Sequence, residues 1–183
     1  MKFSSNFLAP MAAILLASIV SLVGAVDWLV ASENRMAAEQ EQRIVAAAVD
    51  AKVDFLRGIS RDYSVWNDAV DHAVKQFDVS WIDTQIGSYM FKQRGLEDVF
   101  VVNADGRTFY GLVDGKPSRE PATVRLGDGF AQALHAMTVN PRLSNYQFAG
   151  VSASPRGAVL FAISRIRPES GSATERKAAT RFL

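Results

Sequence analysis

The sequence predicts an α+β domain carried behind a single N-terminal membrane helix. Three observations support this. An uncharged apolar run stands near the start of the chain, a long helix-periodic segment follows it, and two pairs of short apolar runs joined by turn residues come after. The 183 residues suffice for one membrane segment and one domain with its own core.

Phe7 to Val26 reads FLAPMAAILLASIVSLVGAV and holds no charged side chain. At a helical rise of about 1.5 Å per residue it covers roughly 30 Å, the thickness of a bilayer core. Pro10 lies near its start, where a missing backbone donor costs little. Trp28 lies at its far end, where an indole suits the lipid–water interface. Lys2 precedes the run, and Asp27 and Glu33 follow it. Positive charge prefers the cytoplasm, so the N-terminus is expected inside and the rest of the chain outside. The alternative is a cleaved signal peptide, for which Val23-Gly24-Ala25 offers a small-residue cleavage site. The run is longer than a usual signal core, which favours the anchor. Either way, residues beyond 30 lie outside the cytoplasm.

Composition narrows the chemistry. There is no cysteine, so disulfides, thiolate metal sites and cysteine nucleophiles are excluded. His72 and His135 are the two histidines, and the net charge is +1, which gives no bulk attraction for nucleic acid. No cofactor or metal site is expected.

Val45, Val49, Val53, Leu56, Ile59, Tyr63, Trp66 and Val70 recur at spacings of three and four. They form one apolar stripe on a helix expected from Ser32 to Ala73. Its first part, residues 31–44, is polar and alanine-rich and reads as a juxtamembrane stalk, able to pair with its copy in a homodimer. Ser80 with Asp83 resembles a capping box for a second helix, Trp81 to Gln93, which Gly95 is placed to end. Val99 to Asn103 and Thr108 to Val113 are strands about the turn Ala104-Asp105-Gly106-Arg107, and Asp-Gly between two apolar runs is a strong hairpin signal. A loop rich in Pro and Gly covers Asp114 to Arg125. Asp128 is placed to cap a short helix, Phe130 to Thr138, closed by Asn140-Pro141. Asn145 to Ser152 and Ala158 to Ile166 are strands about the turn Ser154-Pro155-Arg156-Gly157.

The natural packing of that order is an antiparallel sheet with helices on one face, a PAS-like (Cache-like) arrangement. The expected divisions are 1–30 for the cytoplasmic start and anchor (span about 7–26), 31–44 for the stalk, 45–166 for the domain and 167–183 for a polar tail. The tail lacks periodicity and reads as disordered. Ala178 to Leu183 could begin a further strand, cut short at the C-terminus. The strand ending at Ile166 would then have an open edge.

Asp62-Tyr63-Ser64-Val65-Trp66-Asn67-Asp68-Ala69, followed by Trp81 and by DVFVVNADGRTFYG at Asp98 to Gly111, resembles the extracellular sensory domain called CHASE, type four. That family pairs an Asp-x-x-x-Trp-Asp/Asn-Asp helix motif with a strand–Asp-Gly–strand motif about 40 residues later. The resemblance covers roughly Val45 to Ile166. It implies a periplasmic input domain flanked by two membrane helices, upstream of HAMP, GGDEF, EAL or histidine-kinase modules. These 183 residues hold one apolar span and no GGDEF or kinase motif.

On a helical wheel at about 100° per residue, Asp62 falls at the edge of the apolar face beside Trp66, and Asn67 falls inside it. Polar groups beside an indole can tether a small ligand, so Asp62, Trp66, Asn67, Trp81 and Tyr110 are the candidate ligand-binding residues. Each has a plainer reading in which the polar groups tie the helix to the sheet and the aromatics pack the core. Trp66, central to the stripe, is expected to be buried, its loss to alanine costing about 3–5 kcal/mol. Trp66, Trp81, Tyr89, Phe109 and Tyr110 could line one aromatic pocket. Asp68 and His72, four residues apart, fall opposite the stripe and read as solvated. His135 has no acidic neighbour in register, and Gly127-x-Gly129 is too short for a phosphate loop. No nucleophile, base and orienting group cluster, so no enzyme is expected. The expected function is a membrane-anchored periplasmic sensory domain of a bacterial signalling protein. It would bind an unknown small ligand and couple to a diguanylate cyclase, phosphodiesterase or histidine kinase module. The alternative is a non-sensing dimerisation module or the remnant of a longer signalling gene.

Overall fold

The computed structural model describes residues 5–139, 147–169 and 181–183, without the side chains of 5–10, 12, 30–32 and 34–39. The expected stop at Asn140-Pro141, the first two residues of the strand from Asn145, and most of the polar tail lie outside the described residues. The chain divides into two compact units, Met1–Val49 and Asp50–Leu183.

The first unit is helical throughout its described length, part of one long helix, α1 (Ser5–Ser64). Its apolar side chains are exposed on all sides: Ile14 is 68% exposed, Leu22 67% and Trp28 72%. Among the described residues no helix is long and apolar enough to cross a membrane. The expected span, Phe7–Val26, begins among side chains that lie outside the description.

The second unit is an α+β domain. After α1 come α2 (Asn67–Val70), running on as a π-helical turn over Asp71–Lys75, and α3 (Val79–Ile82), running on as a second π turn over Asp83–Gly87 into α4 (Ser88–Arg94). The strands are β1 (Asp98–Asn103), β2 (Thr108–Val113), β3 (Lys116–Pro117), β4 (Gln147–Ser154), β5 (Gly157–Ser164) and β6 (Arg181–Phe182), with α5 (Ala122–Leu126) and α6 (Asp128–Val139) between β3 and β4. One antiparallel sheet has the order β3-β2-β1-β6, and a second is the β4–β5 hairpin. An antiparallel bridge from Arg165 to Phe182 joins the two.

Both hairpins form as their turns predict. The Asn103 side-chain oxygen accepts from the Asp105 and Arg107 N–H groups at 3.1 and 2.8 Å, folding the first turn. Gly95 ends α4 at φ 65°, the left-handed position expected of it.

Several expectations are corrected. The helix drawn to Ala73 ends at Ser64, because Val65 pairs in parallel with Arg167 and Trp66 is extended at φ −155° and ψ 131°. Trp66 is therefore half-buried at the start of a new helix rather than fully buried at the centre of a stripe. The cap of the next helix is Asp78, whose carboxylate accepts from the Trp81 N–H at 3.0 Å, two residues before the expected Ser80. The Pro- and Gly-rich loop contains β3 and α5.

The sheet is covered on both faces, not one. Val99 and Val101 enter a core with Ile59, Ala69, Ile82, Ile86 and Met90 from α1–α4. Phe100 and Val102 enter another with Phe130, Leu134 and Met137 from α6. The unbroken apolar run Val99–Val102 is the cause, since a strand with one wet face would alternate. The strand edge at Ser164–Ile166 is not open: Ser164 and Leu183 exchange two backbone hydrogen bonds of 2.8 Å, and Ile166 N–H donates to the Arg181 carbonyl at 2.9 Å.

Arg125 on α5 clamps β1. Its guanidinium donates to both oxygens of Asp98 at 2.8 and 3.0 Å, with the two side chains 10% and 15% exposed. The hydrogen bond to Asp98 raises the Arg125 pKa above its ordinary value. Arg125→Ala leaves a nearly buried carboxylate uncompensated and is expected to cost about 3 kcal/mol. Urea unfolding that showed less than about 1 kcal/mol would mean that water already screens the pair.

Candidate functional site

The break after α1 brings an aromatic cluster together. The Trp66 and Trp81 rings lie 5.1 Å apart at 43°. The His72 ring also stacks on Trp81, at 4.7 Å and 10°. The α3 cap, Asp78, places Trp81, and its second oxygen stands 3.6 Å from His72 Nδ1. That nitrogen is buried without a hydrogen-bond partner. Both indoles and the imidazole are half-buried, so the cluster lies at the domain surface with one polar atom unsatisfied.

Of the five residues named from the sequence, the fold brings Trp66 and Trp81 into contact. Asn67 adjoins Trp66, and its side-chain oxygen accepts from the Glu169 N–H at 3.2 Å, tying α2 to the chain beyond β5. Asp62 is exposed and pairs with its neighbour Arg61 at 3.3 Å. Tyr110 is buried on β2, and its hydroxyl donates to Asp83 at 2.6 Å. The other aromatics named for one pocket make separate ring contacts. Tyr89 pairs with Tyr63 at 5.5 Å, and Phe109 pairs with Phe77 at 5.4 Å.

His72 is the residue that the sequence reading left out. The extended Val65–Trp66 step resets the helical phase, so a residue assigned to the wet face packs on an indole. Asp68 remains exposed. Among the described residues no group of three or more His, Asp or Glu could hold a metal ion. His135 is exposed on α6.

A separate cavity of about 360 Å³ lies between β1 and β5, with Leu56 and Met90 on one side and Phe130 on the other. None of the five sequence-named residues lines it.

The architecture is that of an α+β domain: an antiparallel sheet covered by helices on both faces, with an aromatic cluster on the short helices just past the end of α1. The CHASE4 domain model matches residues 48–180, and the chain belongs to the CHASE4 family, a family of sensory domains in signalling proteins. Comparison with curated proteins finds no relative that matches the chain.

Burial and the nearby Asp83 carboxylate both raise the Tyr110 pKa above its ordinary value of 10.0. A phenol whose pKa is raised by folding gives its full stabilisation below the unfolded value, and loses it as pH climbs through the folded one. The domain should therefore weaken progressively above pH ~10. Tyr110→Phe should flatten that alkaline limb and, at neutral pH, cost about 1–2 kcal/mol for the lost bond to a carboxylate. Unfolding free energies measured from pH 8 to 11 on both chains check this. Identical alkaline slopes would contradict it.

Proposed function

We propose that this chain is the membrane anchor and extracytoplasmic input domain of a bacterial signalling protein, and that it recognises a small ligand rather than catalysing a reaction. The observation that carries the proposal is the CHASE4 match over residues 48–180. The helix α1 supports the anchor: its backbone is helical across the uncharged run Phe7–Val26, and the described apolar side chains there face outward all round. An all-round apolar helix needs an apolar surrounding, and lipid supplies one. The charge placement about the run favours a cytoplasmic N-terminus and a periplasmic domain in the inner membrane. Exposed Ile44 at the end of the stalk, with Val45 next to it, supports a homodimer through that helix. The sheet with its helices supports the PAS-like comparison at the level of fold alone. On this proposal the output module is a diguanylate cyclase, phosphodiesterase or histidine kinase elsewhere in the signalling protein.

The ligand is proposed to meet the domain at Trp66 and Trp81, with His72 beside them and Asn67 adjoining. Flat aromatic faces, a buried unpaired ring nitrogen and an aspartate at the rim suit a small polar molecule with a planar or cationic part. Asp62, paired with Arg61, and Tyr110, bonded to Asp83, are not part of this proposed set, since neither adjoins the indole pair.

Two measurements test the proposal. Alkaline phosphatase fused after residue 60 should be active in cells, and an inactive fusion would reverse the topology. A thermal-shift screen of the full chain in detergent micelles, against amino acids, amines and carboxylates, should find a stabiliser. Ligand at a hundred times its Kd adds about 2.7 kcal/mol. Trp81→Ala should abolish that shift. Failure of every compound to move the midpoint would favour a dimerisation module without an input ligand.

A further inference from the structure

Two arginines stand over one phenyl ring at the turn end of the first hairpin. The Arg181 guanidinium lies 4.5 Å from the centre of Phe109, and that of Arg107 lies 5.3 Å from it. Arg181 comes from β6, where it opposes Asn103 of β1, and Arg107 comes from the turn between β1 and β2. Arg181 is also 4.4 Å from the centre of Phe77, whose ring meets Phe109 edge-on at 5.4 Å. These distances put the two charges within one Debye length of each other, about 10 Å at moderate salt.

Neither charge is balanced by an acid. Among the described residues neither guanidinium has an ion pair, whereas Arg57, Arg61, Arg125 and Arg156 each have a carboxylate within 4.0 Å. Asp105, two residues before Arg107, accepts from Asn103 Nδ2 at 3.2 Å instead. Arg107 is exposed, and Arg181 is half-buried, with burial lowering its pKa. One Arg181 N–H donates to the Ala73 carbonyl. A guanidinium has five such donors, so most of the fork is left for another acceptor.

The backbone bears a cost to hold the rings there. Phe77 has φ 52°, in the left-handed region that favours glycine. Glycine would relieve the backbone and forfeit the ring over Arg181. Aromatic faces stabilise a cation without using its donors, which lie in the guanidinium plane and address whatever stands at its edge. Charge held by ring faces, with donors left over, suits an oxyanion. A carboxylate brings one charge and fills one fork. A phosphate monoester brings about two charges near neutral pH and three acceptor oxygens, enough for both arginines. We infer that Arg107 and Arg181 form a phosphate site, one that takes the terminal phosphate of a small soluble phosphate ester. The inference rests on the arginine geometry and does not depend on the sensory proposal. The site adjoins the indole pair along the chain, since Phe77 is followed by Asp78, whose carboxylate caps α3 at Trp81.

The test titrates the full chain in detergent micelles with inorganic phosphate, read by calorimetry at constant ionic strength. Binding should saturate at one phosphate per chain, and chloride in its place should give no such saturation. Arg107→Gln should weaken binding about tenfold or more, the loss expected for one charged hydrogen-bonding group. Arg181→Lys keeps the charge, loses the fork and should weaken binding too. Arg156→Gln removes an exposed positive charge beside Asp114 and should bind as the parent does. Micelles doped with phosphatidylglycerol, a diester with one charge, should leave phosphate binding unchanged. Binding that does not saturate, or that survives either Arg107→Gln or Arg181→Lys, would overturn the inference. So would an equal loss in Arg156→Gln, which would mean bulk charge alone, or displacement of phosphate by the lipid, which would make the arginines a headgroup contact. If circular dichroism shows Arg181→Lys unfolded, Arg107→Gln decides by itself.

Discussion

Leu183 exchanges two hydrogen bonds of 2.8 Å with Ser164, and Phe182, next to it, stands opposite both Val102 and Arg165. Through those contacts the β1–β2–β3 sheet and the β4–β5 hairpin become one surface. Phe182 is 1% exposed and belongs to the core shared with Phe100, Phe130 and Phe161. Arg181 secures the same stretch from the other face. Its guanidinium lies 4.4 Å from the Phe77 ring centre and 4.5 Å from that of Phe109, and it donates to the Ala73 carbonyl. Burial lowers its pKa, so the ring faces and the carbonyl must offset the cost of holding a charge there.

The same seam sets where α1 ends. Past β5 the chain runs alongside Val65, with Arg167 donating to the Ser64 carbonyl at 2.8 Å and accepting from the Trp66 N–H at 3.2 Å. Those bonds pull Val65 and Trp66 out of the helix against a strong helical pattern. Local propensity differs by tenths of a kcal/mol per residue, so two tertiary hydrogen bonds of about 1 kcal/mol each can override it. The displaced Trp66 then meets Trp81.

This explains what was legible in the sequence. The hairpin at Asp105-Gly106, the cap at Gly95 and the turn at Pro155–Gly157 were readable because each depends on a few adjacent residues and a backbone requirement. The α+β class and the family resemblance followed from such elements in order. The end of α1 was not readable, because it depends on Arg167, a hundred residues away in the chain. Nor was the position of His72, because its helical phase follows from that break. The second helical layer was latent in the run Val99–Val102, whose lack of alternation signals burial on both faces. Trp66 and Trp81, both named from the sequence, do meet, but by way of the break after α1 and not on the single helix on which Trp66 was placed.

On the proposed function, the placement of that pair has an energetic consequence. Trp66 is two residues beyond the last residue of α1, so a ligand that changes its distance from Trp81 works against the local backbone. Two hydrogen bonds resist: Trp66 to Arg167 at 3.2 Å and Arg167 to Ser64 at 2.8 Å. Their net worth is about 1 kcal/mol each. Micromolar binding supplies about 8 kcal/mol. Only the difference in affinity between two states of the break can shift their balance. A difference of about 2 kcal/mol, well within that total, would offset those two bonds and favour a helical Trp66 over the extended one. Such an exchange would lengthen α1 toward α2 and turn its final residues. On that proposal α1, which ends at this break, would respond to what occupies the indoles.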